Sequence, residues 1–276
     1  MEESLSLRFL YKTVVGRAML KVLIHPAISK AVGRVLSLPI SKPMISYYMK
    51  KYHIDMNGID IPTDGFSSFN EFFMRKKKEN IKIREGKTEW ISPCEGFLTV
   101  LDIKKDTILD VKNAKYTLDD LLKDKKLAEK FEDGKALIFR LTPANYHRYC
   151  YAADGKVLAS RKIKGKLHCV RPIALRTIPV FAQNSREYEI IKTKDFGGMI
   201  QMEVGALCVG KIANEPMQTK EIKRGMEKGH FEFGGSTIIL LFQKDKISIK
   251  EKYLGREEEI PVNIGEVLGS TFEQEK

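Results

Sequence analysis

The sequence changes texture near Glu89, and that change limits what the chain can fold into. From there on, short apolar stretches alternate with turn residues. Phe97–Leu101, Ala136–Leu141, Ile178–Phe181, Ile200–Val204 and Thr237–Phe242 are each expected to form a strand. Within the last of these, Ile238 to Phe242 is an unbroken apolar run and reads as a buried strand. One helix interrupts the strands, expected from Thr117 to Phe131 with Leu118, Leu121, Leu122 and Leu127 as its apolar side. Before Glu89 the pattern is helical and punctuated. Leu5, Leu7, Phe9, Leu10, Val14 and Val15 precede a stretch from Ala18 to Ile24 that stops at Pro26. A third stretch passes through Ala31, Val32, Val35 and Leu36 to Pro39. Phe66, Phe69, Phe72 and Phe73 mark a short helix around Ser67–Phe73 that runs into Met74-Arg75-Lys76-Lys77-Lys78, a basic run that reads as a solvated helix end. The expected fold class is α+β: an amphipathic helical N-terminal segment, residues 1–88, followed by a β-rich domain, residues 89–276.

The charge balance bounds the partners. A net charge of +12, from 48 Lys and Arg against 36 Asp and Glu, suits an anionic partner, either nucleic acid or an anionic membrane surface. No zinc-finger spacing, RNA-binding strand signature or Gly-rich phosphate loop is present, so no nucleic-acid partner is expected. Lys12, Arg17, Lys21, Lys30, Arg34 and Lys42 are spread through the helical segment. That pattern fits a cap with its polar face in water, and equally an amphipathic surface lying in a lipid interface. Cys94, Cys150, Cys169 and Cys208 lie far apart and form no CxxC pair, which argues against a disulfide framework or a zinc site and fits a reducing cytosol. The start, Met1-Glu2-Glu3-Ser4, lacks the basic n-region of a signal peptide, and no apolar run approaches the ~18 residues of a transmembrane helix. A chain of this kind that works on lipid does so from the surface. The expected location is the cytoplasmic face of a membrane, bound peripherally.

The most informative segment is Lys228-Gly229-His230-Phe231-Glu232-Phe233-Gly234-Gly235-Ser236-Thr237. Strand-like residues alternate, break at two glycines, and resume in the apolar run that follows. A Gly-Gly-Ser-Thr turn alone is usually only a turn. With Arg224-Gly225-Met226-Glu227 before it, however, this segment closely resembles the maturation site of the phosphatidylserine decarboxylase family, which is pyruvoyl-dependent. Further landmarks occur in family order: Ser92-Pro93-Cys94-Glu95-Gly96, Arg140 to Tyr149 with its Tyr146-His147-Arg148, Arg171-Pro172-Ile173-Ala174-Leu175, Asn184-Ser185-Arg186 and Glu203-Val204-Gly205-Ala206. Together they span roughly residues 65–265.

The resemblance implies that the β-rich domain is catalytic. It implies self-cleavage between Gly235 and Ser236, separating 1–235 from 236–276. Ser236 Oγ would attack the Gly235 carbonyl, and the glycines would permit the strained backbone this needs. Elimination and hydrolysis would leave a pyruvoyl group at Ser236, whose ketone forms a Schiff base with the amine of phosphatidylserine and accepts the electrons left by carbon dioxide. The product would be phosphatidylethanolamine, with no external cofactor and no metal. The implied partners are phosphatidylserine and an anionic phospholipid membrane, and a homodimer is left open.

In the family an Asp and a His assist the maturation serine. Here Glu95 stands at the Asp position and Cys150 at that His position, while His147 matches the family's first histidine. Three readings follow. The site matures with Glu95 and either His147 or Cys150 as helpers; or the chain is an uncleaved pseudoenzyme that binds anionic lipid; or the same pyruvoyl chemistry acts on another amino acid or headgroup. Arg186 suits a substrate phosphate or carboxylate, or a surface ion pair. His168 reads as a strand histidine, and His25 and His53 lie in the helical segment. A second Gly269-Ser270-Thr271 is rejected as the cleavage site, because the fragment it would release has no strand of its own to hold the new group.

Overall fold

The computed structural model describes residues 5–79, 81, 83, 88–104, 109–111, 114–175, 177–207, 211–216, 219–233, 236–256 and 258–272. Four helices open the chain: α1 (Leu5–Lys12), α2 (Val14–Leu23), α3 (Pro26–Leu36) and α4 (Pro43–Tyr52). Thr13 divides α1 from α2, its Oγ1 accepting from the Gly16 amide at 2.9 Å as an N-cap. Gly16 is required where it stands, since a Cβ there would overlap the Phe9 carbonyl oxygen. Pro26 occupies the first turn of α3, where its missing N–H costs nothing. A fifth helix, α5 (Phe69–Phe73), is capped by Ser68, while Glu71 reaches back to the Ser67 hydroxyl at 2.7 Å.

An eight-stranded antiparallel sheet forms the body of the molecule. Its strands run in the order Glu221–Ile222, Gly155–Ile163, Arg186–Thr193, Gly198–Val204, Ser236–Phe242, Lys135–Leu141, Gly96–Asp102 and Ile260–Val262. Ser236–Phe242 is an interior strand, paired with Gly198–Val204 on one side and Lys135–Leu141 on the other, and all of its residues are buried. Its side chains alternate between two cores. Ile239 and Leu241 pack toward Tyr11, Leu20, Ile24, Leu121 and Phe181. Ile238, Leu240 and Phe242 face Trp90, Tyr149, Phe231 and Leu268 on the opposite side. The helical segment therefore shares a core with the sheet through Tyr11, Leu20 and Ile24. A third, aromatic cluster joins Leu36 and Tyr48 to Phe69, Phe72 and Phe73, with Phe233 packed against it.

The buried strands match expectation, and the ambiguous segments do not. The helix expected over Thr117–Phe131 is two short helices, Leu118–Leu122 and Lys125–Glu129. Lys123 turns left-handed at φ 52°, and Asp124 then caps the second helix by accepting from Leu127 N at 3.0 Å. Ile178–Phe181 is not a strand: Pro179 precedes a helical turn over Val180–Gln183. So short an apolar run carries no period that separates the two states. His168 lies outside any regular strand, beside an isolated bridge between Lys166 and Asn184. Ser270 does sit in a strand, Val267–Thr271, paired with Ile247–Ile249. Among the described residues no helix is long and apolar enough to cross a membrane.

Candidate active site

Ser236 is the first residue of the interior strand, paired with Leu141. It is fully buried, and its Oγ has no hydrogen-bond partner among the described residues. Strand alternation points its side chain to the face that carries Ile238 and Leu240. Gly235, the other side of the expected scissile bond, lies outside the described residues, as does Gly234. The segment is anchored just upstream. Phe233 N donates to Asn70 Oδ1 at 3.2 Å, and the Phe233 ring packs edge-on against Phe69 and Phe73 at centroid distances of 5.0 and 5.1 Å.

His147 is positioned by the same aromatic cluster. It immediately precedes the strand Arg148–Cys150, which pairs with Glu227–Phe231, and its carbonyl accepts from Phe231 N at 2.9 Å. The imidazole is buried and lies against the Phe73 ring, and among the described residues neither ring nitrogen has a well-formed hydrogen bond. Burial, with the positive charge of Arg75 adding to it, lowers its pKa to about 3, so the ring is neutral at physiological pH.

Cys150 is equally buried. Its Sγ is 4.0 Å from the Ser92 carbonyl, and burial pushes the thiol up to about 12. It is a thiol here, not a thiolate. Glu95 is half-buried, and its Oε1 accepts from Asn145 Nδ2 at 3.0 Å. Asn145 is itself fixed, its Oδ1 accepting from Thr142 N at 2.8 Å and Oγ1 at 2.7 Å. The turn that orients Glu95 thus lies two residues before His147.

Arg186 is elsewhere, and its assignment to substrate binding needs correcting. In register it stands opposite Val204, which in turn stands opposite Thr237, so its side chain is on the sheet face that Ser236 does not use. Its guanidinium donates to the carbonyls of Leu121 (2.8 Å), Asp120 (2.8 Å), Ala182 (2.9 Å) and Asn184 (2.9 Å). Arg186 ties two helical segments to the sheet.

Two features escaped the sequence pattern. Glu203, fully buried, stands opposite Ile238 on the Ser236 face and pairs with buried Lys228 at 2.7 Å, with Glu189 3.6 Å from the same ammonium. Desolvation outweighs Lys228 and raises the Glu203 carboxyl to about 7. A charged residue inside the apolar run Ile200–Val204 was the available signal. The other is Arg75, which is buried although it opens a lysine run whose other members, Lys76 to Lys78, are exposed. One group of described residues, Glu215, Glu227 and His230, has ligand atoms within 4.8 Å of one another. Glu227, however, already accepts from Arg148.

The sequence model of the family described as phosphatidylserine decarboxylase matches residues 69–270. This chain belongs to the phosphatidylserine decarboxylase family, a family of decarboxylating enzymes. It is 39% identical over 270 residues to phosphatidylserine decarboxylase proenzyme 2 of Clostridium acetobutylicum, an alignment covering 96% of this chain and 91% of that one. It is 38% identical to the phosphatidylserine decarboxylase proenzyme of Ruminiclostridium cellulolyticum (97% and 92% covered) and 36% identical to that of Fusobacterium nucleatum (96% and 91%).

Proposed function

We propose that this chain is a proenzyme that cuts itself between Gly235 and Ser236 and then decarboxylates phosphatidylserine to phosphatidylethanolamine. The observation that carries the reading is the Ser236 hydroxyl, buried without a partner among the described residues at the head of an interior strand directly after two glycines in sequence. A buried hydroxyl left unbonded costs stability, and such exceptions concentrate where a group is needed for chemistry. In self-cleavage Ser236 Oγ attacks the Gly235 carbonyl carbon and displaces the Ser236 nitrogen, so an ester replaces the peptide bond. Removal of the Ser236 Cα proton then expels the Gly235 carboxylate, and water hydrolyses the imine tautomer of the dehydroalanine left behind, releasing the Ser236 nitrogen as ammonia and leaving the pyruvoyl ketone.

Phe73 and Phe233 hold the segment on one side, and on the other the strand pairing of Ser236 with Leu141 keeps the new N-terminus in the sheet. His147 is the proton acceptor in this reading, since its ring is neutral, whereas the Cys150 thiol is protonated. Glu95, oriented by Asn145, supports the same turn. The pyruvoyl group, once formed from Ser236, supplies a ketone for the substrate amine and an electron sink for the departing carbon dioxide.

The membrane side of the proposal rests on α1 to α4. Leu5, Val14, Val15, Met19, Val22, Leu38, Ile40 and Tyr47 are exposed, and Lys12, Arg17, Lys21, Lys30, Arg34 and Lys42 are exposed among them. Apolar side chains beside cations suit peripheral docking on an anionic lipid surface at the cytoplasmic face. The deciding experiment is an intact mass and a denaturing gel of the purified protein. Two chains, 1–235 and 236–276, are expected, with the second blocked by pyruvoyl. Ser236→Ala should abolish processing and Ser270→Ala should not; a single full-length chain from the unsubstituted protein favours the uncleaved lipid-binding reading instead.

A further inference from the structure

Arg75 is 5% exposed, yet its guanidinium is barely engaged. Nη2 reaches the Asn145 carbonyl at 3.4 Å, and among the described residues neither Nε nor Nη1 has a hydrogen-bond partner. Its Cζ lies 5.4 Å from the centroid of the Phe72 ring. A buried cation in this state is costly, and proteins ordinarily pair it. Arg186 shows the ordinary solution in the same molecule, with four carbonyls around one guanidinium.

The location gives the orphaned donors a purpose. Arg75 follows α5 directly, two residues after the Phe73 ring that supports His147. Its one acceptor among the described residues, Asn145, is also the residue that orients Glu95. Its charge is felt by His147, and it in turn feels Glu95, Tyr146 and Tyr48. The unbonded fork is therefore tied to Glu95 through Asn145 and lies close enough to His147 for its charge to act on that ring. A planar fork with adjacent N–H groups matches an oxyanion with two oxygens in one plane.

We propose that Arg75 binds the phosphodiester of the aminophospholipid headgroup; this rests on the decarboxylase reading above. The headgroup offers two anions, and reaction chemistry chooses between them. The carboxylate loses its charge as carbon dioxide leaves, so a guanidinium on it would stabilise the ground state and slow the step. The phosphodiester keeps its charge from substrate to product, and a cation there holds the headgroup throughout without opposing the chemistry. Arg75 is thus a positioning residue of uniform binding, expressed in KM more than in kcat.

The test uses the full chain as it matures, treated with borohydride so that no covalent bond to an amine can form. Intact mass before treatment reports separately whether cleavage and a pyruvoyl group are present. Calorimetric titrations then compare glycerophosphoserine, glycerophosphoethanolamine and L-serine. Arg75→Gln should weaken both phosphodiesters by about 10- to 100-fold, the span expected for losing hydrogen bonds to a charged group, and leave L-serine unchanged. Arg75→Lys should recover part of the loss. The melting temperature of Arg75→Gln should not fall, because no paired cation is being removed. The proposal is overturned if the unsubstituted protein binds neither phosphodiester or if Arg75→Gln binds both as tightly. It is also overturned if the loss falls on L-serine and glycerophosphoserine while glycerophosphoethanolamine is spared, which would put the guanidinium on the carboxylate.

Discussion

The His147 imidazole lies on the Phe73 ring at a centroid distance of 3.9 Å, tilted by 31°. Phe73 also carries Phe233 edge-on at 5.1 Å. One buried ring thus contacts both the proposed proton acceptor and the residue that leads into Gly234-Gly235-Ser236. The site depends on the join between α5 and the sheet.

Phe73→Ala should therefore cost about 3–5 kcal/mol of stability and also slow self-cleavage. Leu36→Ala, in the same cluster but without a ring contact to His147, should cost about 2–5 kcal/mol. It should leave the cleavage rate near that of the unsubstituted chain at temperatures where both are folded. Denaturant melts and pulse-chase gels measure the two effects. Equal cleavage rates for the two variants would remove Phe73 from the positioning argument.

Stability against pH should show two opposing buried groups. The folded-state pKa of His147 falls from 6.5 to about 3, so its contribution is present above pH 6.5 and is lost as pH drops from 6.5 toward 3. Glu203 has its folded-state pKa raised from 4.5 to about 7, so its carboxyl favours the folded state below pH 4.5 and loses that advantage as pH rises toward 7. Between pH 4.5 and 6.5 the slopes have opposite signs, each at most about 1.36 kcal/mol per pH unit. Glu203→Gln should accordingly make the acid-side loss of stability steeper over that window. Urea melts at pH 4.5, 5.5 and 6.5 test it; an unchanged or shallower profile contradicts the Glu203 assignment.

Membrane docking should respond separately to charge and to apolar surface. Binding to anionic vesicles should weaken as salt rises, since each basic residue near the surface contributes about 1 kcal/mol and ions screen it. Val15→Asp and Ile40→Asp should weaken sedimentation with vesicles at every salt concentration. Both positions are exposed, at 64% and 79%, so neither change should lower the melting temperature. Equal binding to neutral and anionic vesicles would exclude docking by charge.

The parts legible in sequence were those where pattern and burial coincide. Ile238–Phe242 has no polar residue, and a strand buried on both faces requires none. Ser68 and Thr117 sit where helix starts were expected and act as caps. Arg75 was hidden because its neighbours Lys76, Lys77 and Lys78 are solvated, and composition gives one basic residue in a run no mark to set it apart. Arg186 was misread for the opposite reason: the fork that suits a substrate anion also suits backbone carbonyls. Only the sheet register shows which face it takes. The break at Lys123 depends on a left-handed residue that no glycine announces.

The pH dependence of self-cleavage should identify the base. A base acts in its deprotonated form, and the rate follows the fraction present in that form. His147, with pKa lowered to about 3, is already neutral throughout pH 5 to 8, so a rate that depends on it is flat across that range. Cys150, raised to about 12, is protonated over the same range, and a rate that depends on its thiolate rises about tenfold per pH unit. The flat profile is expected. His147→Ala should slow both cleavage and turnover, and Cys150→Ala should leave cleavage largely intact. Cys150→His should speed maturation if the new imidazole can reach Glu95, while Glu95→Gln should slow it. Quenched gels over a pH series measure all of these. A log-linear rise with pH that disappears in Cys150→Ala would assign the thiol as base and leave His147 to the headgroup step alone.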